Sequence, residues 1–295
     1  MTAYSIKARL KNYALKNGIS FQEALTYFGL ERTIYRISVS KYADHFVLKG
    51  GIFLYAIFQR NYSRATADID LLARKISNRA EEMKEVFANI LSIDADDALV
   101  YDTGSISVVN ITEFKEYHGL HISALYYLDK TRVPISIDIG FGDIVFPDAV
   151  QMAFPVILNM RSPIVYAYSL ESSLAEKLEA IIHNGYLNSR YKDFYDIYAL
   201  SENHTFMYND LKQAIEETFK NRKTALSLES SVFGQDFIND TIHQSRWKAF
   251  IKNKKVSAPV SLSEVMERIV KFITPLIKGP SFQFWDPEQG NWHST

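Results

Sequence analysis

Hydrophobic residues recur with two different periods along this chain, and the switches between them leave few possible architectures. Near the start, Ile6, Leu10 and Ala14 recur at helical spacing. From about residue 46 to residue 168 the texture is strand-like. In Ile135-Ser-Ile-Asp-Ile139 the three isoleucines line one face while the polar residues line the other. Beyond Ser169 the helical spacing returns and runs to the end. Helices before and after a block of strands specify an α+β core.

The expected elements follow from this pattern. A helix over residues 5–16 stops at Asn17-Gly18, because Gly18 can supply a left-handed residue. Ser20 caps the next helix, with Glu23 three residues on as the capping-box partner, and a third short helix covers 33–38. A helix over 52–58, a strand over 67–72 and a helix over 78–91 come next. Strands are expected at 105–111, 120–128 and 133–139, with short extra ones at 156–158 and 164–166. Helices are expected near 170–184, 191–202, 208–220, 237–253 and 262–277, before a tail with Phe282, Phe284, Trp285 and Trp292. The two textures suggest two domains, residues 1–168 and 169–295.

Composition removes whole classes of function. The chain has 295 residues and no cysteine, so disulfides, thiolate nucleophiles and Cys-ligated metals are excluded. Its 33 basic and 34 acidic residues nearly cancel, which argues against binding by bulk positive charge. The longest apolar run, at 50–58, falls far short of the roughly 20 residues that span a bilayer. Residues 1–22 are basic without an acid, faintly like a transit peptide, but no apolar segment or cleavage signal follows. A soluble cytoplasmic protein without membrane contact is the expectation.

The residues with the most chemical content are carboxylates. In Arg64-Ala-Thr-Ala-Asp-Ile-Asp-Leu71, period-two geometry puts Asp68 and Asp70 on one strand face, with Ile69 turned to the core. Two adjacent acids repel unless a cation lies between them, and magnesium takes one or two carboxylates together with substrate phosphates. A solvated strand face is the plainer alternative. Gly50-Gly51, just before a helix, can offer backbone N–H groups to a phosphate, or can simply be a tight turn. Arg64 and Thr66 stand immediately upstream of the acids, within reach of a phosphate tail. Asp138 sits in a strand of isoleucines, an unfavourable place for aspartate, and becomes a third carboxylate if its strand lies beside the first.

This combination resembles the polymerase-beta-like nucleotidyltransferases, and more closely the AbiEii/AbiGii-type toxins of type IV toxin–antitoxin and phage-defence systems. The resemblance is carried by Phe46-Val-Leu-Lys-Gly-Gly51, Arg64-x-Thr-x-Asp-Ile-Asp-Leu71, Ala175-Glu-Lys-Leu-Glu179 and Arg190-Tyr-Lys-Asp-Phe-Tyr-Asp-Ile197, in family order over roughly residues 1–203. It implies a palm-like mixed sheet with N-terminal helices and a C-terminal helical lobe. It also implies Mg2+ held by Asp68, Asp70 and Asp138, and a nucleoside triphosphate contacted by Lys49, Gly50, Gly51, Arg64, Thr66, Lys177, Asp193 and Asp196. Asp68, Asp70, Asp138 and Lys177 would be catalytic. An RNA acceptor such as a tRNA 3′ end, growth arrest and a cognate antitoxin encoded nearby are further implications. Members commonly have Ser or Thr after the glycine pair, where this chain has Ile52, so the hydroxyl's role passes to backbone N–H groups, Thr66 or Ser63.

Other features stay open between structural and functional readings. Lys177 lies at the edge of a Leu174, Leu178, Ile181 stripe and can either snorkel to solvent or meet phosphates. Asp193 and Asp196 share a helix face and suit an internal ion pair equally well. Arg246-Trp-Lys-Ala-Phe-Ile-Lys-Asn-Lys-Lys255 interleaves basic and aromatic residues, fitting either a nucleic-acid strand or a solvated helix with a buried aromatic stripe. His118 and His121, around Gly119-Leu120, read as structural residues at a turn. A small-molecule nucleotidyltransferase and a catalytically degenerate binding module are the rival functions.

Overall fold

The computed structural model describes residues 1–58, 66–111, 119–254, 256, 258, 259 and 261–294. The chain divides into two compact units, one of residues 1–142 and 149–168, the other of 143–148 and 169–295. Among the described residues, no helix is long and apolar enough to cross a membrane.

The first unit opens with α1 (Ala3–Asn17), which ends at Gly18 with a left-handed φ of 63°. Next comes α2 (Phe21–Val39), whose Ser20 and Glu23 form the capping box read from the sequence. The separate helix expected at 33–38 is the last part of this same helix. No Gly or Pro interrupts 30–39, so the helical hydrogen-bond ladder simply continues. The chain proceeds through β1 (Phe46–Lys49), α3 (Gly50–Ile57), β2 (Asp68–Ala73), α4 (Ala80–Leu91), β3 (Leu99–Ile111), β4 (Gly119–Leu128) and β5 (Thr131–Phe141). Then come β6 (Val150–Ala153) and β7 (Ile164–Ala167). Residues 156–158 are not a strand; β6 pairs with β7 instead, Val150 opposite Ala167 and Ala153 opposite Ile164.

These strands form one mixed sheet in the order β3-β4-β5-β2-β1-β7-β6. Strand β2 runs antiparallel to β1 and parallel to β5. Its position beside β5 is a long-range pairing. One sheet face is apolar, with Ile69, Ile137 and Ile122 aligned across three strands and all fully buried. Helix α2 lies against this face. Gly29 permits the close approach, since a Cβ there would run into the Tyr126 ring. The Tyr126 hydroxyl donates to Leu25 O at 2.7 Å, and burial raises its pKa.

A buried ionic cluster fastens α2 to the start of β3. Arg36 donates to both oxygens of Asp97 at 2.6 and 2.9 Å, and Arg32 adds a third bond at 3.1 Å. Glu31 brings a second carboxylate, 3.4 Å from Arg32 and accepting from Ile157 N–H at 2.7 Å, so the buried charges balance. Burial pushes the Asp97 carboxyl up, yet the Arg36 hydrogen bond and charge, with help from Leu99 N–H and Arg32, hold it below its ordinary value.

The second unit is helical, with α5 (Leu170–Asn184), α6 (Tyr191–Asn203), β8 (Phe206–Met207), α7 (Tyr208–Asn221), α8 (Gln235–Ile238), α9 (Thr241–Lys254) and α10 (Leu262–Ile277). The helix expected over 237–253 is two, because Asp240 caps a new start by accepting from Ile242 and His243 N–H. The aromatic tail folds back as β9 (Phe284–Asp286) and β10 (Asn291–His293), with β9 pairing to β8. Trp285 and Trp292 give their indole N–H groups to Ser201 O and Phe272 O, both at 2.8 Å, which makes the tail part of the core of this unit.

Candidate active site

Strand register assembles the acidic residues. Lys49 is opposite Asp70 on β1 and β2, Asp70 is opposite Asp138 on β2 and β5, and Asp138 is opposite His121 on β5 and β4. Directly opposed residues share a sheet face, so these four form one row. Asp68, two residues before Asp70, begins a parallel row with Ser136, Ser123 and Ser107. Both rows lie on the face opposite Ile69, Ile137 and Ile122. Asp68 is exposed, and Asp70, Asp138, His121, Ser123 and Ser136 are half-buried.

Asp70 is also the acid that meets α3. Because Lys49 is opposite Asp70 and the helix begins at the next residue, the carboxylate sits at the helix N-terminus. There its Oδ2 accepts from Gly51 N–H at 3.2 Å. Gly50 is required twice over: its φ is +64°, and a Cβ would run into the Asp70 carboxyl group. The glycine pair thus serves the Asp70 carboxylate directly. Lys49 places its ammonium over the Tyr168 ring, 5.0 Å from the centroid. Thr66 donates from its hydroxyl to Asp68 O at 3.4 Å. Arg64 and Ser63 lie outside the described residues.

Asp138 has a partner that sequence reasoning missed. His121 Nδ1 is 2.6 Å from Asp138 Oδ1. His121 is not a turn residue but the third residue of β4, directly opposite the acid. The strand expected over 120–128 already contains His121; what local pattern does not carry is that this strand pairs with β5 in the register that sets His121 opposite Asp138. His118 lies outside the described residues.

Carboxylates aligned on one sheet face are hard oxygen donors, the chemistry that suits a hard divalent cation. The bonds from Gly51 and His121 each engage one oxygen of an Asp70 or Asp138 carboxyl group. Among the described residues, no three acid or imidazole groups already converge at metal-ligand spacing.

A family model for the AbiEii nucleotidyltransferase toxin of type IV toxin–antitoxin systems matches residues 32–268. This chain belongs to that family. It is an AbiEii-type nucleotidyltransferase, and the matched span includes the glycine pair and all three sheet aspartates. Among solved structures, JHP933 from Helicobacter pylori is similar over 84% of this chain and 91% of its own, with 15% identity and a TM-score of 0.44. A candidate nucleotidyltransferase from H. pylori is similar over 88% of this chain and 100% of its own, with 16% identity and a TM-score of 0.47. No functionally curated protein matches the chain in sequence.

Ile52, which follows the glycine pair, is 1% exposed, so its side chain belongs to the core.

In the second unit, Lys177 is neither snorkelling nor exposed. Its ammonium bonds Asp196 Oδ2 and lies 3.6 Å from Asp193 Oδ1, while Arg190 bonds the other Asp193 oxygen at 2.6 Å. Lys177, Asp193 and Asp196 are all buried. This is the internal ion cluster weighed from the sequence. The neighbouring acids of the Ala175–Glu179 motif are structural too: Glu176 and Glu179 pair with Arg222, as does Asp143. On α9, Arg246, Lys248 and Lys252 are exposed, but Trp247 is fully buried and donates to Pro259 O at 3.0 Å. Trp247 therefore offers no platform for a stacked base, while Phe250, the other aromatic of this stretch, is half-buried.

Proposed function

We propose that this AbiEii-type toxin transfers a nucleoside monophosphate from a nucleoside triphosphate to a hydroxyl of RNA, with Asp68, Asp70 and Asp138 as the catalytic carboxylates. The observation that supports this most is the direct opposition of Asp70 and Asp138 on parallel strands, two residues from Asp68. In this reading the three acids hold Mg2+, which when bound supplies positive charge to the triphosphate and to the negative charge that develops during transfer. Asp70, fixed by Gly51 N–H, holds its side chain at the start of α3, where the helix dipole favours phosphate. Asp138 accepts the proton of the acceptor hydroxyl, whose oxygen then attacks the α-phosphorus in line as pyrophosphate leaves. Lys49, Gly50, Arg64 and Thr66 are assigned to the phosphate tail.

The proposal draws its catalytic groups from the first unit; for Lys177, Asp193 and Asp196 the geometry favours the ion cluster over nucleotide contact. The exposed basic side chains of α9 support an RNA acceptor, with a tRNA 3′ end the acceptor implied by the family resemblance. A cytoplasmic setting, growth arrest and neutralisation by a cognate antitoxin complete the reading. Incubating total RNA with each labelled triphosphate and magnesium at low salt tests it, and label should enter RNA from one triphosphate preferentially. Label entering only a small hydroxyl-bearing compound would replace the RNA acceptor with a small-molecule one. No labelling and no triphosphate binding would leave a binding module.

A further inference from the structure

Aspartate is a poor residue for the middle of a strand, and on a half-open face its short side chain has more than one rotamer available. Asp138 is in that position, with 39% of its side chain exposed. What restrains it is the residue directly opposite on the adjoining strand, His121, at 2.6 Å from Nδ1 to Oδ1. An ionised carboxylate only accepts hydrogen bonds, so Nδ1 carries the proton and the imidazole is the donor. Such bonds to a charged acceptor are short and strong, and this one engages Oδ1 specifically.

We propose that His121 is the positioning residue of Asp138: it clamps Oδ1, sets the plane of the carboxyl group and thereby aims Oδ2 along the row toward Asp70. The inference rests on the transferase reading of Asp138 given above. Its physical basis is general, since ligating carboxylates depend on hydrogen bonds from groups behind them, and loss of such a group weakens cation binding about 10–100-fold. The competing role is a cross-strand pair that merely ties β4 to β5. That role predicts a change in stability and none in cation affinity.

The test compares the wild-type chain with His121→Ala and His121→Asn, whose Nδ2 occupies the place of the imidazole Nδ1. Mn2+ binding is followed by calorimetry and by electron paramagnetic resonance, beside melting temperature, kcat and triphosphate KM. His121→Ala should weaken Mn2+ binding about tenfold or more, lower kcat more than it raises KM, and leave the protein folded. His121→Asn should recover most of the loss. If His121→Ala fails to fold, His121→Asn against His121→Leu gives the same contrast in folded proteins. Cation affinity and kcat unchanged in His121→Ala, or His121→Asn as impaired as His121→Ala, would overturn the assignment. Asp138→Asn separates the two levels of the argument. Loss of Mn2+ binding in Asp138→Asn but not in His121→Ala removes only the His121 role. A wild-type chain that binds neither Mn2+ nor any triphosphate removes the transferase reading together with it.

Discussion

Asp97 and Asp138 lie in the same unit and each accepts a 2.6 Å bond from a nitrogen-bearing side chain, yet their surroundings are opposite. Asp97 is 1% exposed and both its oxygens are taken up by Arg36 and Arg32. Asp138 is half-exposed, meets the His121 imidazole on one oxygen among the described residues, and stands in a row with another acid. A carboxylate surrounded by fixed guanidinium groups has its counter-charge built in, so it holds elements together. One held by one oxygen on an accessible sheet face can still receive a cation from solution. Burial and the number of built-in donors separate Asp97 from the carboxylate proposed to hold a cation.

The comparison breaks most visibly in activity. Asp70→Asn preserves the side-chain shape and an acceptor for Gly51 N–H but removes the charge. It should lower nucleotide transfer about 10³-fold while shifting the melting temperature little, as steady-state assay and thermal unfolding would show. Transfer within tenfold of wild type would move the chemistry elsewhere. The converse substitution, Asp97→Ala, leaves two buried guanidinium groups without their carboxylate and should cost about 3–5 kcal/mol in denaturant unfolding. Its activity per folded molecule should be normal.

Lys177→Met sharpens the same contrast in the second unit. It removes the ammonium bonded to buried Asp196 and 3.6 Å from Asp193, and should cost about 3 kcal/mol. A fully stable Lys177→Met protein that has lost transfer would return Lys177 to the nucleotide. Ile52→Thr places a hydroxyl after the glycine pair, at a position that is 1% exposed. It should destabilise by about 2 kcal/mol, through lost apolar burial and a desolvated hydroxyl, with triphosphate affinity unchanged in direct binding measurements.

The smallest expected effect is in pH dependence. The folded-state pKa of Asp97 lies below its ordinary 3.8. Its contribution is therefore complete above that ordinary value and lost as pH falls through the folded-state value. Unfolding free energy measured down through this range should fall less steeply for Asp97→Asn than for wild type. Equal slopes would show that other carboxylates control acid unfolding.

Periodicity made much of the secondary structure readable. The helix stop at Gly18, the Ser20–Glu23 capping box and the shared face of Asp68 and Asp70 each follow from residues a few positions apart, and each forms as the local pattern dictates. Where local signals were weak, the reading slipped. The local pattern divides a helix that runs unbroken as α2, suggests a strand at 156–158 where there is none, and gives no sign of the new helix start at Asp240.

What the sequence alone determined about this protein is therefore its chemistry-bearing residue types and the face each occupies within its own element. Backbone geometry fixes those relations over spans of a few residues. Only the tertiary structure decided which strands are neighbours: that β2 lies between β1 and β5, that Asp138 is opposite Asp70, and that His121 is opposite Asp138. The same holds for Arg32 and Arg36 meeting Asp97, and for the burial of Trp247. Strand order and helix docking follow from how the apolar faces of the whole chain can be covered together, a condition that leaves no periodic mark near any one of these residues.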